Sequence, residues 1–382
     1  MSYIFVIASF LAFFFTLLLI RKKPKSLYDK ILLCWLIYLG SFVALFVLSQ
    51  QKPFQEMIQL HNFIISLFLL HGPFLYLYTS TLTQGMKKFN RNDLLHFVPF
   101  AVFVIYLAIA SLFPEYSVGI RLDHVDMQIE QPPFFVFLLI VTAISGPVYF
   151  ILSIRKVRKY RKKYMDNFST IEQLNVNWLK ILLYIFGIIW SALFAIAVIH
   201  HVFHIASMSF CINGLFLSLS AFILLAGYFG LIQKDVFTHF NDLHEESEKV
   251  NGDSTPAKEA DSAIAMESEE IEIQVDKIAH HMQQEKPYLN PQLSLPLLSS
   301  ELNIPVHQLS KIINEKFGCN FFDFINNYRV QEVKEKLSDE KYDNFSLLGI
   351  AFDSGFNSKS TFNRIFKKET GKTPSEYKNS LE

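Results

Sequence analysis

"IAFDSGFNSKSTFNRIFKKETGKTPSEYK", residues 350–378, decides the reading of this chain. Residues 346–354 have the spacing of a short helix with Leu347, Ile350 and Ala351 turned inward. Gly355 suits a turn that needs positive φ, and Asn357 offers an N-cap to the helix that follows. In that helix Phe362, Ile365 and Phe366 form one apolar stripe. Lys359, Ser360, Asn363, Arg364 and Lys367 fall mostly on the opposite side. Gly371 ends it. Thr373 as N-cap and Pro374 at the first position then open a last helix. A short helix, a tight turn and a second helix with a polar, basic outer face make a helix-turn-helix.

The same grammar occurs upstream. "LSLPLLSSELN", 293–303, gives a first helix and turn, and "IPVHQLSKIINEKFG" gives the second helix. Its buried stripe is Leu309, Ile312, Ile313 and Phe317, and Gly318 ends it. His307, Gln308, Lys311 and Asn314 lie on its outer face. Between the two units "NFFDFINNYRVQEVKEKLSD" predicts a longer helix packed through Phe321, Phe324, Ile325, Tyr328, Val333 and Leu337, able to hold the units at a fixed separation.

These residues resemble the AraC-type (AraC/XylS) transcription regulators. The resemblance rests on "KPYLNPQLSL", "LSKIIN", "FFDFINNYR" and above all "IA…GF.S.STF.R.FKKETGKTPSEYK", and covers residues 270–378. Two positions depart from the family's pattern. Ser299 stands where Ala is usual, and Pro305 stands where a Ser or Thr commonly caps the first recognition helix. The resemblance implies DNA binding, with each recognition helix in the major groove and the pair reading segments about one turn apart. Gln308, Asn314, Lys359, Ser360, Asn363 and Arg364 are the candidate base readers, because amides and guanidinium groups pair with adenine and guanine edges. Lys311, Lys367, Lys368 and Lys372 are the candidate phosphate contacts, which position without specifying.

The other end of the chain belongs in lipid. Apolar runs recur at about 3–20, 31–48, 60–82, 94–113, 134–154, 179–202 and 210–232. A bilayer core needs roughly 20 apolar residues as helix, so the expectation is seven spanning helices. The first run lacks a basic N-terminal flank and is followed by Lys and Arg, which reads as a span with its N-terminus outside rather than a cleaved signal. Loops expected inside carry 15 Lys and Arg against 2 in those expected outside, which places the tail in the cytoplasm at a bacterial inner membrane. Together with the tail this resembles the membrane-anchored subgroup of the same family.

The expected fold class is all-α: a seven-helix transmembrane bundle (1–235), an acidic flexible linker (236–270) and a double helix-turn-helix domain (271–382). A zero net charge over 382 residues hides this segregation. Residues 1–235 carry a net +9, 236–286 a net −9, and 287–382 none. Neutrality is awkward for a DNA binder, but residues 359–378 hold six basic and two acidic groups while 332–343 hold five acidic and three basic, so the domain is polarised. The basic 155–163 loop is explained by topology and anionic lipid. Ile271, Val275, Ile278 and Met282 step by four, three and four, an amphipathic stripe that suits either the following domain or a second chain.

Candidate signal-site residues are His61, His71, His200 and His204, since polar groups inside the bilayer are costly; His201, Asp123, His124 and Asp126 are neighbours to consider. Histidines that cap helix ends and meet water are the simpler reading. Cys34, Cys211 and Cys319 read as free thiols, and no cofactor or metal is called for. "AHHMQQEKP" is set aside as a kinase phosphoacceptor because no Gly-rich ATP-binding segment follows, and no enzyme is expected. The partners expected are promoter DNA, the lipid bilayer, RNA polymerase, an unknown small-molecule or membrane signal, and a second copy of the chain. Two rivals stand beside a sensing role: a passive anchor controlled through linker proteolysis or a partner, and a transporter or enzyme fused to a regulatory tail.

Overall fold

The computed structural model describes residues 2–23, 25–84, 89–113, 132–170, 177–198, 208–232 and 268–381. Among these, every regular element is helical: fourteen α-helices with short 3-10 turns and no strand. Of the acidic linker expected at 236–270, residues 236–267 lie outside the described residues, as do His200, His201, His204, Asp123, His124 and Asp126, while residues 268–270 open a helix instead.

Seven helices occupy the seven apolar runs. They are α1 (Ser2–Arg21), α2 (Leu27–Ser49), α3 (Ile58–Gln84), α4 (Val98–Ala110), α5 (Pro133–Met165), α6 (Asn177–Val198) and α7 (Met208–Ile232). Six are long and apolar enough to cross a membrane, α4 together with the 3-10 turn before it; the apolar stretch described in α6, Asn177–Ala192, is shorter. The α1–α2 turn is built by charge. Asp29 is 2 % exposed and accepts from the Ser26 amide and hydroxyl at 3.1 and 2.8 Å, while Lys22 Nζ lies 2.8 Å away. The capping box satisfies the Ser26 amide at the start of α2, and Lys22 neutralises the carboxylate that is buried there.

Aromatic rings fill this unit. Phe46 stacks on Phe216 at 3.6 Å between centroids, and Phe42 stacks on the same ring at 5.1 Å. Glycine allows the helices to close: a Cβ on Gly146 would lie 2.1 Å from the Trp190 indole. Close approach through small residues is how helices pack without a hydrophobic drive between them. Large apolar side chains such as Phe10 and Ile188 remain exposed at 65 % and 67 %, a surface suited to lipid.

The chain divides into two compact units, Met1–Arg158 with Val176–Thr238, and Lys159–Asn175 with His239–Glu382. The second contains α8 (Ser268–Gln284), α9 (Leu295–Leu302), α10 (Val306–Lys316), α11 (Phe321–Leu337), α12 (Leu347–Asp353), α13 (Lys359–Thr370) and α14 (Pro374–Asn379). Two apolar clusters form here. One gathers Leu298, Leu302, Leu309, Ile312 and Ile313 with Phe321, Phe324 and Ile325. The other gathers Ile350, Ala351, Phe356, Phe362, Ile365 and Phe366 with Phe322, Val330, Val333 and Leu337. Thus α11 contributes one face to each half and joins them. Ile278 and Met282 of α8 are fully buried in the first cluster, so this part of the α8 stripe packs on its own domain.

Candidate nucleic-acid interface

Local rules set both recognition helices. In the first unit Ser294 caps α9, and Asn303 takes a left-handed conformation at φ 55° to make the turn. Pro305 opens α10 with no side-chain cap. Ser299, unusual at its position, is buried and donates its hydroxyl to the Ile304 carbonyl across the turn at 2.5 Å. In the second unit Ser346 caps α12, and Gly355 turns at φ 90°. The cap of α13 is Ser358, accepting from the Thr361 amide at 3.2 Å, not the expected Asn357. The short hydroxyl reaches the N3 amide once α13 starts at Lys359. Thr373 and Glu376 form a full capping box on α14, with Pro374 at its first turn. The Thr373 amide and hydroxyl hold the Glu376 carboxyl below its usual range.

The expected outer faces are solvent-facing. Lys359, Ser360, Asn363, Arg364, Lys367 and Lys368 are exposed on α13, over a base formed by buried Phe362, Ile365 and Phe366. Lys372 is exposed just beyond it. On α10, Lys311 and Asn314 are exposed and Gln308 is partly so. The residues differ in freedom. The Ser360 hydroxyl lies 3.2 Å from that of the cap Ser358. Asn314 donates to the Ser310 carbonyl at 2.8 Å. The Arg364 guanidinium sits 6.0 Å from the Phe322 ring centroid, a cation–π contact that orients it without consuming its donors. Lys368 is engaged with Asp323 at 3.0 Å, and that hydrogen bond holds its ammonium pKa above the ordinary value. It is therefore the least available of the four phosphate candidates.

The sequence reading passed over a row of polar residues on α11: Asn326, Arg329 and Glu332, all buried. Arg329 is fully buried and donates to the Tyr288 and Asn290 carbonyls, each at 2.8 Å. Glu332 accepts from Tyr288 at 3.0 Å and Lys286 at 2.8 Å, with Lys336 at 3.5 Å. Burial raises the Glu332 carboxyl, but those hydrogen bonds and the lysine charges outweigh it and hold it below its usual value. A depressed carboxylate contributes stability above its unfolded-state pKa and loses it as pH falls through the folded value. Glu332→Gln should therefore cost about 1–3 kcal/mol at neutral pH. The gap to the native chain, read from thermal unfolding, should narrow as the medium is acidified through the carboxylate range.

Of the candidate signal-site histidines, the two among the described residues, His61 and His71, are not brought together. His61 is buried, with Nε2 3.1 Å from the Gln55 carbonyl. His71 lies ten residues further along α3, about 15 Å of helix rise. It meets the Tyr38 hydroxyl among the rings of Phe42 and Phe68. Among the described residues no cluster of three or more metal-ligating side chains forms.

Residues 298–380 match the family described as a helix-turn-helix domain. An uncharacterized HTH-type transcriptional regulator of Staphylococcus aureus (strain COL) is 33 % identical over 91 residues, which are 24 % of this chain and 12 % of that protein. The probable transcription factor PqrA of Proteus vulgaris is 27 % identical over 89 residues, 23 % of this chain and 70 % of that one. A solved structure from Listeria innocua is 29 % identical at a TM-score of 0.25, covering 28 % of this chain and 95 % of that chain. The chain spans about an eighth of the length of the staphylococcal regulators it matches. The C-terminal part of this chain is thus an AraC-type helix-turn-helix domain, a DNA-binding module. The apolar helices preceding it are compatible with a membrane.

Proposed function

We propose that this chain is a membrane-held, sequence-specific transcription regulator whose tail reads promoter DNA in the cytoplasm. The observation that carries this reading is α13, a capped helix with its apolar face buried and Lys359, Asn363, Arg364 and Lys367 exposed. The two halves joined by α11 present two such helices, and α13 is the one capped by a side chain. Arg364 and Asn363 read base edges, while Lys311, Lys367 and Lys372 hold phosphates.

The membrane topology has physical support. At 33 residues α5 is about 50 Å long, against a hydrocarbon core of about 30 Å, so its basic end projects beyond the lipid. Lys159–Asn175, the basic end of α5 and the residues after it, shares one compact unit with the tail from His239, which favours one side of the bilayer for both. Between them stand only α6 and α7. With α7 crossing, α6 crosses as well, which favours seven spans over six. The excess of Lys and Arg in that segment makes its side the cytoplasmic one. The buried part of the α8 stripe favours packing over a dimer seam.

Two measurements test this. A fluorescent protein fused after residue 382 should fluoresce and a periplasmic phosphatase fused there should stay inactive; the reverse pattern removes the topology. The full chain in lipid nanodiscs should enrich, from a random DNA pool, sites with two segments about one helical turn apart. Absence of any enriched sequence removes the regulatory reading.

A further inference from the structure

The segment joining α5 to α6 does not stand apart from the tail. Asn167 and Ser169 pair with the strand-like lead-in to α9: the Leu295 amide donates to the Asn167 carbonyl at 2.9 Å and the Ser169 amide to the Leu293 carbonyl at 3.3 Å. The Ser169 hydroxyl donates to the same Leu293 carbonyl at 2.6 Å. The Ser169 carbonyl accepts from Asn326 at 3.0 Å and Arg329 at 3.1 Å, and its hydroxyl oxygen from Arg329 at 3.2 Å. Ser169 is 1 % exposed. Four residues earlier, Met165 packs against the cluster of the second helix-turn-helix unit. The segment thus bonds to the first half by its backbone and packs on the second by a side chain, with the centre of α11 between.

We infer that this intracellular segment is a working part of the DNA-binding domain: a clasp, supplied from between two spanning helices, that fixes the setting of the two recognition helices and is needed for full DNA affinity. The inference rests on the DNA-binding reading above. Arg329 and Asn326 are desolvated, so their donors need the acceptors that Ser169 provides. Withdrawing those acceptors loosens the joint between the lead-in to α9 and the centre of α11. Two recognition helices held at a fixed separation bind as one bivalent reader, and loosening the joint forfeits that effective concentration. α5 ends at Met165, where the clasp begins.

Geometry supplies a lock. Phe168 and Ser294 form an antiparallel bridge flanked by, not sharing, the two backbone hydrogen bonds. Such a pair has Cα atoms about 4.5 Å apart, within the span of a disulfide. The experiment uses the full chain in lipid nanodiscs and the DNA that the native chain enriches. Ser169→Pro removes the amide that Leu293 accepts and should weaken binding at least tenfold. Ser169→Ala, keeping the amide, should weaken it less. Phe168→Cys with Ser294→Cys should oxidise to near completion, seen as the linked peptide by mass spectrometry, and bind within about threefold of the native chain, the loss of one cap included. Native affinity in Ser169→Pro overturns the proposal, and so does tighter binding, which would make the clasp inhibitory. If the native chain enriches no DNA, the regulatory reading fails by itself. The linked-peptide yield then judges the clasp alone, a low yield removing it.

Discussion

Gly355→Val should unfold the second helix-turn-helix unit more readily than any other single change at a turn in the tail. Two costs meet there. Gly355 sits at φ 90°, a region that costs a non-glycine residue about 1–3 kcal/mol and a β-branched one more. A Cβ at this position would also lie 2.2 Å from the Tyr288 carbonyl oxygen and 2.9 Å from Arg329 Nε. Backbone cannot yield as a flexible side chain does, so the lead-in to the first unit must shift. The combined loss should exceed about 3 kcal/mol. Gly371 is the control, at φ 75° with nothing near its absent Cβ. Gly371→Ala should cost about 1 kcal/mol, the conformational part alone. Thermal unfolding of the full chain followed at the tail's aromatic signals makes the comparison, and equal losses would show that the Tyr288 contact is immaterial.

The second large effect is expected at Arg329, which joins Tyr288 and Asn290 of the first half's lead-in to Ser169 of the clasp. Arg329→Ala leaves buried carbonyls without donors, about 1–3 kcal/mol for each, and opens a cavity where a large, fully buried side chain stood. A total near 4 kcal/mol is the expectation. Arg329→Lys should recover little, because a single ammonium cannot reproduce the planar fork that reaches several acceptors at once. Full recovery in the lysine variant would reduce Arg329 to a point charge.

The apolar face of each recognition helix was legible from spacing: Leu309, Ile312 and Ile313 are buried, as are Phe362, Ile365 and Phe366. Gly355 carries the positive φ its position suggested, and Gly371 ends α13 as expected, also at positive φ. The cap on α13 was misread by one residue, because Asn357 and Ser358 are both good caps and only the start of the helix chooses between them. The polar row on α11 was missed for a different reason. Asn326, Arg329 and Glu332 recur every three residues along an otherwise apolar face, a signal that was present. Polar residues in a helix are ordinarily read as its wet side, and their partners lie far away in sequence: Ser169 is 160 residues from Arg329. Long-range acceptors of that kind leave no periodicity to read. For the same reason the clasp went unread, since only the basic stretch 155–163 before it carried a signal, its charge.

The most direct measurement concerns Arg364, the exposed guanidinium of α13 held against Phe322. On DNA enriched by the full chain in nanodiscs, the affinity ratio between that DNA and a scrambled copy is taken for the native chain and for Arg364→Ala. A bidentate contact to a base edge carries about 1–3 kcal/mol of discrimination, so the ratio should fall by about tenfold to a hundredfold while binding to the scrambled copy changes far less. If both DNAs weaken equally and the ratio is kept, Arg364 touches phosphate only, and the claim that α13 reads sequence through this residue is wrong.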